Sequence, residues 1–148
     1  MKRRNGFIML FTLWTGMIIF GFSMAAAALA HQYEKQIEMY SYAVEASYLA
    51  ESALIMGQRQ CGIEKDPDLP EKWEQNLSKL AETSGPDRNI KVVRVLHQTG
   101  PECVSGTLRG IARVGNPIAV QQTRALSFDA VYDHPGQKWV FTFHDYKI

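Results

Sequence analysis

The sequence predicts an α+β fold, in which one long N-terminal helix packs on a small antiparallel β-meander. No charged residue occurs from Phe7 to Ala30, and helix-forming sequence continues without proline to about Met56. The second half of the chain instead alternates apolar and polar residues in short runs between glycine and proline turns, a pattern typical of antiparallel strands. A chain of 148 residues holds one such long helix and one small domain of about 90 residues.

The apolar start of the helix is long enough to cross a bilayer, which needs about 20 apolar residues. Lys2, Arg3 and Arg4 precede it, and basic residues beside a membrane helix mark its cytoplasmic side. We therefore expect a single-pass protein of the cytoplasmic membrane with its C-terminal domain outside the cytoplasm. The predicted organisation is a basic leader at 1–6, a transmembrane half-helix at 7–30, an amphipathic half-helix at 31–56 and a globular head at 57–148.

In the amphipathic half of the helix, apolar residues recur at spacings of three and four and so share a helix face. One line consists of Tyr33, Ile37, Tyr40, Val44 and Tyr48. An adjacent line consists of Ala46, Leu49, Ala53 and Met56. We expect this apolar face to pack on the head, and Gly57 to close the helix.

The head is predicted to open with a loop at Pro67 and Pro70, followed by a short helix from Glu71 to about Glu82. Trp73, Leu77 and Leu80 would form the buried face of that helix. About four strands follow, in the regions 90–96, 104–114, 120–132 and 138–145, with short links that favour an antiparallel meander. Gly106 and Gly110 interrupt a strand pattern and indicate a bulge or close packing.

Composition and motifs favour a structural protein over an enzyme. Without Lys2, Arg3 and Arg4 the chain has 13 basic and 15 acidic residues, a formal charge of −2, which argues against nucleic-acid binding. The sequence has no nucleophile elbow, P-loop or dinucleotide-binding glycine pattern, so we expect no catalytic residues and no cofactor. The four histidines lack metal-ligand spacing, and we expect no metal site. Asp129, Asp133 and Asp145 are the one set that could gather to bind calcium, although solvated turn acids explain them better.

Two cysteines, Cys61 and Cys103, lie in the body of the chain. Neither belongs to a CxxC motif, which argues against zinc or a thioredoxin-type site. In an oxidising compartment the two can form a disulfide, which would close a loop of some forty residues and contribute about 4 kcal/mol by loop entropy. The alternative is two unpaired thiols, one or both of them buried.

The leader admits three interpretations. The first is an ordinary secretory signal, because Ala28-Leu29-Ala30 fits the small-x-small cleavage pattern, but its apolar region exceeds the usual length of about 7–15 residues. The second is a signal-anchor that is not cut, as in a membrane-anchored extracytoplasmic binding domain that never joins a filament. The third is cleavage on the cytoplasmic side, after Gly6, which leaves Phe7 as the new N-terminus.

The third interpretation is the one in which this chain resembles the type IV pilin and type II secretion pseudopilin superfamily. The junction Arg3-Arg4-Asn5-Gly6-Phe7 is similar to the site where a prepilin peptidase cuts after glycine and methylates the new first residue. The long helix and the β-meander are similar to the family's first helix and head. A cysteine pair in the C-terminal half is a further similarity to the family. The resemblance implies a subunit of a pilus-like filament, with other pilin subunits, the prepilin peptidase, the inner-membrane assembly platform and membrane lipid as its partners.

One departure from the family pattern lies at Phe11, where most members have glutamate at the fifth mature position. That carboxylate is thought to pair with the N-terminal amine of a neighbouring subunit, since an unpaired charge in hydrocarbon is costly. Its absence resembles the tip-type minor subunits, PilX-like or K-type, as do Leu13-Trp14 and the alanine-rich stretch from Ala43 to Leu54. The large inserted domain usual in the type II tip subunit has no room here. The resemblance implies a subunit that initiates or caps a filament.

Overall fold

A computed structural model describes residues 3–64, 69–77, 81–82, 85, 87–100 and 102–145. The chain divides into two compact units, the first 40 residues and residues 41–148. One helix and five strands make up the described part: α1 Arg3–Cys61, β1 Lys72–Asn76, β2 Arg88–Thr99, β3 Cys103–Val114, β4 Val120–Asp133 and β5 Lys138–Asp145. The predicted α+β class, a long N-terminal helix with an antiparallel β-meander, is confirmed.

The first unit is the N-terminal part of α1, and its apolar side chains are exposed, with Phe7 at 73%. The helix is long and apolar enough to cross a membrane. Polar side chains in this stretch form hydrogen bonds to the backbone of the same helix. The Thr15 hydroxyl donates to the Phe11 carbonyl at 2.8 Å and the Ser23 hydroxyl to the Ile19 carbonyl at 2.9 Å. This removes the cost of unsatisfied polar groups in hydrocarbon and is compatible with a single-pass membrane protein.

The five strands form one antiparallel sheet in the order β1-β2-β3-β4-β5, so each strand pairs with its neighbour in sequence. The sequence predicted four of them. The helix expected from Glu71 is wrong in its first half, since Lys72–Asn76 is strand β1, which pairs with Lys91–Val95 of β2. Trp73 and Gln75 alternate as its partly buried side chains, and the backbone of β1 pairs with the edge of β2. Pro67 and Leu80 lie outside the described residues.

Within the second unit, α1 packs on the sheet mainly through small residues. Ala46 and Ala53 of the second predicted line are buried, whereas the first line is exposed, so the predicted packing face is correct only in part. Ala46, Ala50 and Ala53 are fully buried, whereas Tyr48 is 67% exposed and Met56 is 42% exposed. The reason lies beneath them at Gly110, where an added Cβ would collide with the Ala50 carbonyl oxygen. The helix backbone comes so close to the sheet that tyrosine or methionine has no room between them.

Glycines at the contact surface allow this approach. Gly57 does not end the helix as expected: α1 continues to Cys61, and an added Cβ at Gly57 would lie 2.6 Å from Val92 Cγ2. Gly106 and Gly110 are close-packing positions, as predicted, because a side chain at either would collide with backbone atoms. The helix therefore keeps a continuous seam of small residues against β2 and β3.

The strands β3, β4 and β5 alternate as the sequence predicted. Alternate residues of β3 from Val104 to Val114 are buried on the face toward α1, and Phe128 and Ala130 of β4 lie on the same face. Trp139 of β5 is buried there, and the Phe128 ring lies 5.3 Å from the Phe141 ring. This aromatic cluster closes the core where the helix ends.

Candidate functional site

The residues of the predicted cleavage junction, Gly6 and Phe7, lie within α1, which begins at Arg3. Phe7 and Phe11 are one helical turn apart and share a face, and Phe11 is 65% exposed. Phe11 is therefore an exposed apolar side chain on this helix. Phe11 can offer dispersion contacts to another helix but no acceptor for an amine.

A second candidate surface is the side of α1 that faces away from the sheet in the second unit. Val44, Tyr48 and Ile55 are all exposed there, and we call these three residues the outer helix stripe. In the first unit, Tyr33, Ile37 and Tyr40 of the same predicted line are exposed as well. Monomeric soluble proteins seldom leave contiguous apolar surface of this kind open, and such surface marks contact with protein or membrane.

Charged contacts fix the helix on the sheet so that the outer helix stripe points away. The Arg88 guanidinium donates from Nε to Glu45 Oε1 at 2.6 Å, and this hydrogen bond raises the pKa of Arg88. On the other side of the helix, Arg124 donates to Ser47 Oγ at 2.8 Å and lies 3.5 Å from Glu51. The first contact joins α1 to β2 and the second joins it to β4, so the helix is held at both flanks.

The predicted disulfide is not formed: Cys61 and Cys103 are both free. Cys61 lies in the core between helix and sheet, whereas Cys103 is exposed at the start of β3. Because the residues of β3 that face α1 are the even-numbered ones from Val104 onward, Cys103 points to the opposite face of the sheet. The two thiols are therefore separated by the sheet itself.

Arg94 is the one buried charge near Cys61. Its side chain is 1% exposed, donates from Nη1 to Glu64 Oε2 at 3.2 Å, and lies over the Trp73 ring at 5.6 Å. Within the part of the chain that the structure describes, its Nε and Nη2 have no hydrogen-bond partner. The Cys61 sulfur is 4.0 Å from Nη1, but burial outweighs the nearby positive charge and raises the pKa of Cys61. The thiol is thus protonated and poorly nucleophilic.

The histidines form local pairs. His144 lies 3.1 Å from Asp129, His134 lies 3.2 Å from Glu102, and His97 lies 2.6 Å from the Thr107 hydroxyl. Within the ranges that the structure describes, no three His, Cys, Asp or Glu side chains gather as metal ligands. Of the three candidate calcium ligands, Asp129 is engaged with His144, and the side chain of Asp145 lies outside the description.

Two cavities adjoin the start of β2, a feature that sequence reasoning missed. One, of about 290 Å³, includes Asn76, Glu82 and Ile90 in its lining. The other, of about 360 Å³, is lined by Arg88, Asn89, Arg113, Asn116 and neighbouring residues. The only sequence signal for the second was a pair of strand arginines, Arg109 and Arg113, alternating with apolar residues.

Comparison with known proteins adds no relative. No protein-family model, no curated protein and no solved structure matches this chain. The resemblance to pilins therefore rests on the residues around Gly6 and on the arrangement of helix and sheet, and the function is argued below from those features.

Proposed function

We propose that this protein is a minor pilin or pseudopilin, a structural subunit that initiates or caps a type IV pilus-like or type II secretion filament. The observation that supports it best is the continuity of α1. One uninterrupted helix provides both a charge-free segment of membrane length and the alanine seam that packs under an antiparallel sheet. The sequence Arg3-Arg4-Asn5-Gly6-Phe7 then stands where a prepilin leader would end.

In this proposal the protein waits in the inner membrane with its head outside the cytoplasm. A prepilin peptidase removes the leader after Gly6 and methylates Phe7. The apolar helix then moves from lipid into a bundle of subunit helices at the assembly platform. Lipid tails are as apolar as leucine, so this step relies on close packing and small residues. Gly16 and Gly21 have open space beside them, which a neighbouring helix can fill.

The outer helix stripe supports the same proposal in the head. Val44, Tyr48 and Ile55 are exposed while the adjacent alanines are buried, so this side of the helix remains available to a neighbouring subunit. Tyrosine suits such a contact because its ring buries much apolar area while its hydroxyl keeps a hydrogen bond. The absence of an acid at Phe11 gives the subunit no acceptor for a neighbour's amine, which suits a terminal position in the filament.

The test is the mass of the mature N-terminus, measured on protein from cells that have a full set of peptidases. A chain that begins at Phe7 with one methyl group is the expected result. Gly6→Ala should leave the leader attached, whereas Gly16→Ala, the matched control within the helix, should be processed normally. An intact leader in the unaltered protein would favour a membrane-anchored binding domain that does not assemble. A chain beginning at His31 would indicate a secreted protein and refute the proposal.

A further inference from the structure

The arginines of the β-strands lie on both faces of the sheet, and their ion pairing differs between the two faces. On the face toward α1, three arginines each pair with a glutamate: Arg88 with Glu45, Arg94 with Glu64 and Arg124 with Glu51. On the opposite face, which we call the outer face, Arg109 and Arg113 are exposed on β3. Neither makes an ion pair or hydrogen bond with any residue in the described part of the chain.

No acid of the outer face makes an ion pair with either arginine in the described part of the chain. Glu74 is bound to Lys91 at 2.9 Å and Asp129 to His144 at 3.1 Å. Asp133 stands directly opposite Lys138 in the β4–β5 register. Asp87, which lines the same cavity as Arg113, accepts a hydrogen bond from Asn116 Nδ2 at 3.4 Å.

The geometry of β3 makes the two arginines act together. They are four residues apart on one strand, on the same side, about 14 Å from Cα to Cα at about 3.4 Å per residue. Ile111 lies between them, and Thr123 and Gln121 of β4 stand opposite Ile111 and Arg113. Both guanidinium groups rise from a paired central strand, so their positions are fixed better than those of loop arginines. Arg113 also lines the cavity of about 360 Å³ with Asn89 and Asn116.

We infer that Arg109 and Arg113, with Ile111 between them, form a docking strip for an acidic segment of a partner protein. A guanidinium presents two parallel N–H donors that match a carboxylate, and such charge-assisted pairs are stronger than neutral hydrogen bonds. Ile111 supplies apolar contact between the two anchor points, and the amide of Asn89, which stands opposite Arg113 on β2, can accept and donate further hydrogen bonds.

Protein carboxylates suit the strip better than nucleic-acid phosphates do. A long polyanion is drawn by the summed charge of a domain, and nucleic-acid-binding surfaces present many cations along one face or groove. The outer face offers two arginines that have no ion-pair partner among the described residues, on a body of net negative charge. An acidic peptide needs only two well-placed carboxylates, one for Arg109 and one for Arg113.

The test uses the full chain in zwitterionic detergent micelles at low salt, with two fluorescent probes. One probe is a blocked ten-residue peptide of alternating glutamate and alanine, and the other is a six-nucleotide oligothymidylate with a similar charge. Binding is followed by fluorescence anisotropy. The test variant is Arg109→Gln/Arg113→Gln. The control variant, Arg59→Gln/Lys35→Gln, removes two exposed cations from α1. Far-UV circular dichroism verifies that both variants are folded.

The expected result is that the unaltered chain binds the peptide and that the Arg109→Gln/Arg113→Gln variant binds it about tenfold more weakly or worse. The control variant should stay within about twofold of the unaltered chain. No peptide binding, or an equal loss in both variants, would overturn the inference. Tighter binding of the oligonucleotide than of the peptide would also overturn it. The state of Gly6 and Phe7 does not enter this experiment, so its outcome is independent of the filament proposal.

Discussion

Substituting Gly110 by alanine tests how closely α1 lies on the sheet. The added Cβ would collide with the Ala50 carbonyl oxygen and would lie 2.9 Å from the Leu54 backbone nitrogen and 3.1 Å from the Ala50 carbonyl carbon. All three atoms belong to helix backbone, so no side chain can rotate away and the helix itself must shift. Moving it would also loosen the contacts of Ala46, Ala50 and Ala53, which are fully buried.

Two opposing effects decide the magnitude for Gly110→Ala. Replacing glycine restricts the unfolded chain and by itself stabilises by about 0.4–1 kcal/mol. Overpacking a close contact costs about 1–3 kcal/mol, and more when the backbone must move. The cost is larger, so we expect a net loss of about 1–2 kcal/mol. For a unit of about 100 residues this lowers the melting temperature by about 5–15 °C.

The assay is thermal unfolding of the full chain in micelles, followed by near-UV circular dichroism with reductant present. The matched control is Gly62→Ala, just beyond α1, where the nearest atom to an added Cβ is the Arg59 carbonyl oxygen at 3.4 Å. That variant should melt within about 2 °C of the unaltered chain. If Gly110→Ala melts at the same temperature as Gly62→Ala, or higher, the helix does not lie against β3 as described.

Three further predictions concern buried and membrane positions. Arg94→Met removes two guanidinium nitrogens that have no hydrogen-bond partner among the described residues. It should leave the free energy of unfolding unchanged or raised by about 1–2 kcal/mol, whereas Arg94→Ala should lower it by about 2–4 kcal/mol, both from denaturant titrations. Because burial raises the pKa of Cys61 above its ordinary value, the folded state holds that proton more tightly than the unfolded chain. This stabilisation is fully present below the unfolded pKa and is lost as the pH rises through the folded pKa, so Cys61→Ala should flatten the fall in stability measured above pH 9. Phe11→Glu should increase the number of copies per filament, counted by quantitative immunoblotting of sheared filaments, and an unchanged count would contradict the terminal position.

Much of the fold can be predicted from the sequence because the patterns that indicate it are local in the chain. Charge-free residues from Phe7 to Ala30 predict a membrane-length helix, and alternation in β3, β4 and β5 predicts strands with one buried face. The first strand escaped prediction because Trp73 and Leu77 are spaced like a helix face, and five residues carry too little pattern to distinguish a strand. What decides the matter is the open edge of β2, which is far away in sequence.

The sequence did not show which of the two predicted apolar lines of α1 is buried. Both lines are hydrophobic, and the distance between helix and sheet, which selects the line with Ala46 and Ala53, is set by Gly110, more than fifty residues later. Only after β3 is placed under Ala50 does the alanine line become the one that fits. The disulfide was mispredicted on similar grounds, because the parity of Cys103 along β3 puts it on the face away from Cys61.

Which of the two apolar lines of α1 is buried and which is exposed bears directly on function. Had Tyr48 and Val44 packed on the sheet, the head would present a polar helix to its surroundings, and no apolar surface of α1 in the second unit would indicate a neighbour. Because small residues form most of the seam, Val44, Tyr48 and Ile55 are left exposed, and exposed apolar surface of this kind marks contact with protein or membrane. Tyr48→Ser should then leave the melting temperature of the head within about 2 °C of its original value, since the ring is already in solvent, yet reduce incorporation into filaments. A fall in melting temperature as large as that of Gly110→Ala would instead place Tyr48 in the core, and Tyr48 would then not be available for contact with a neighbouring subunit.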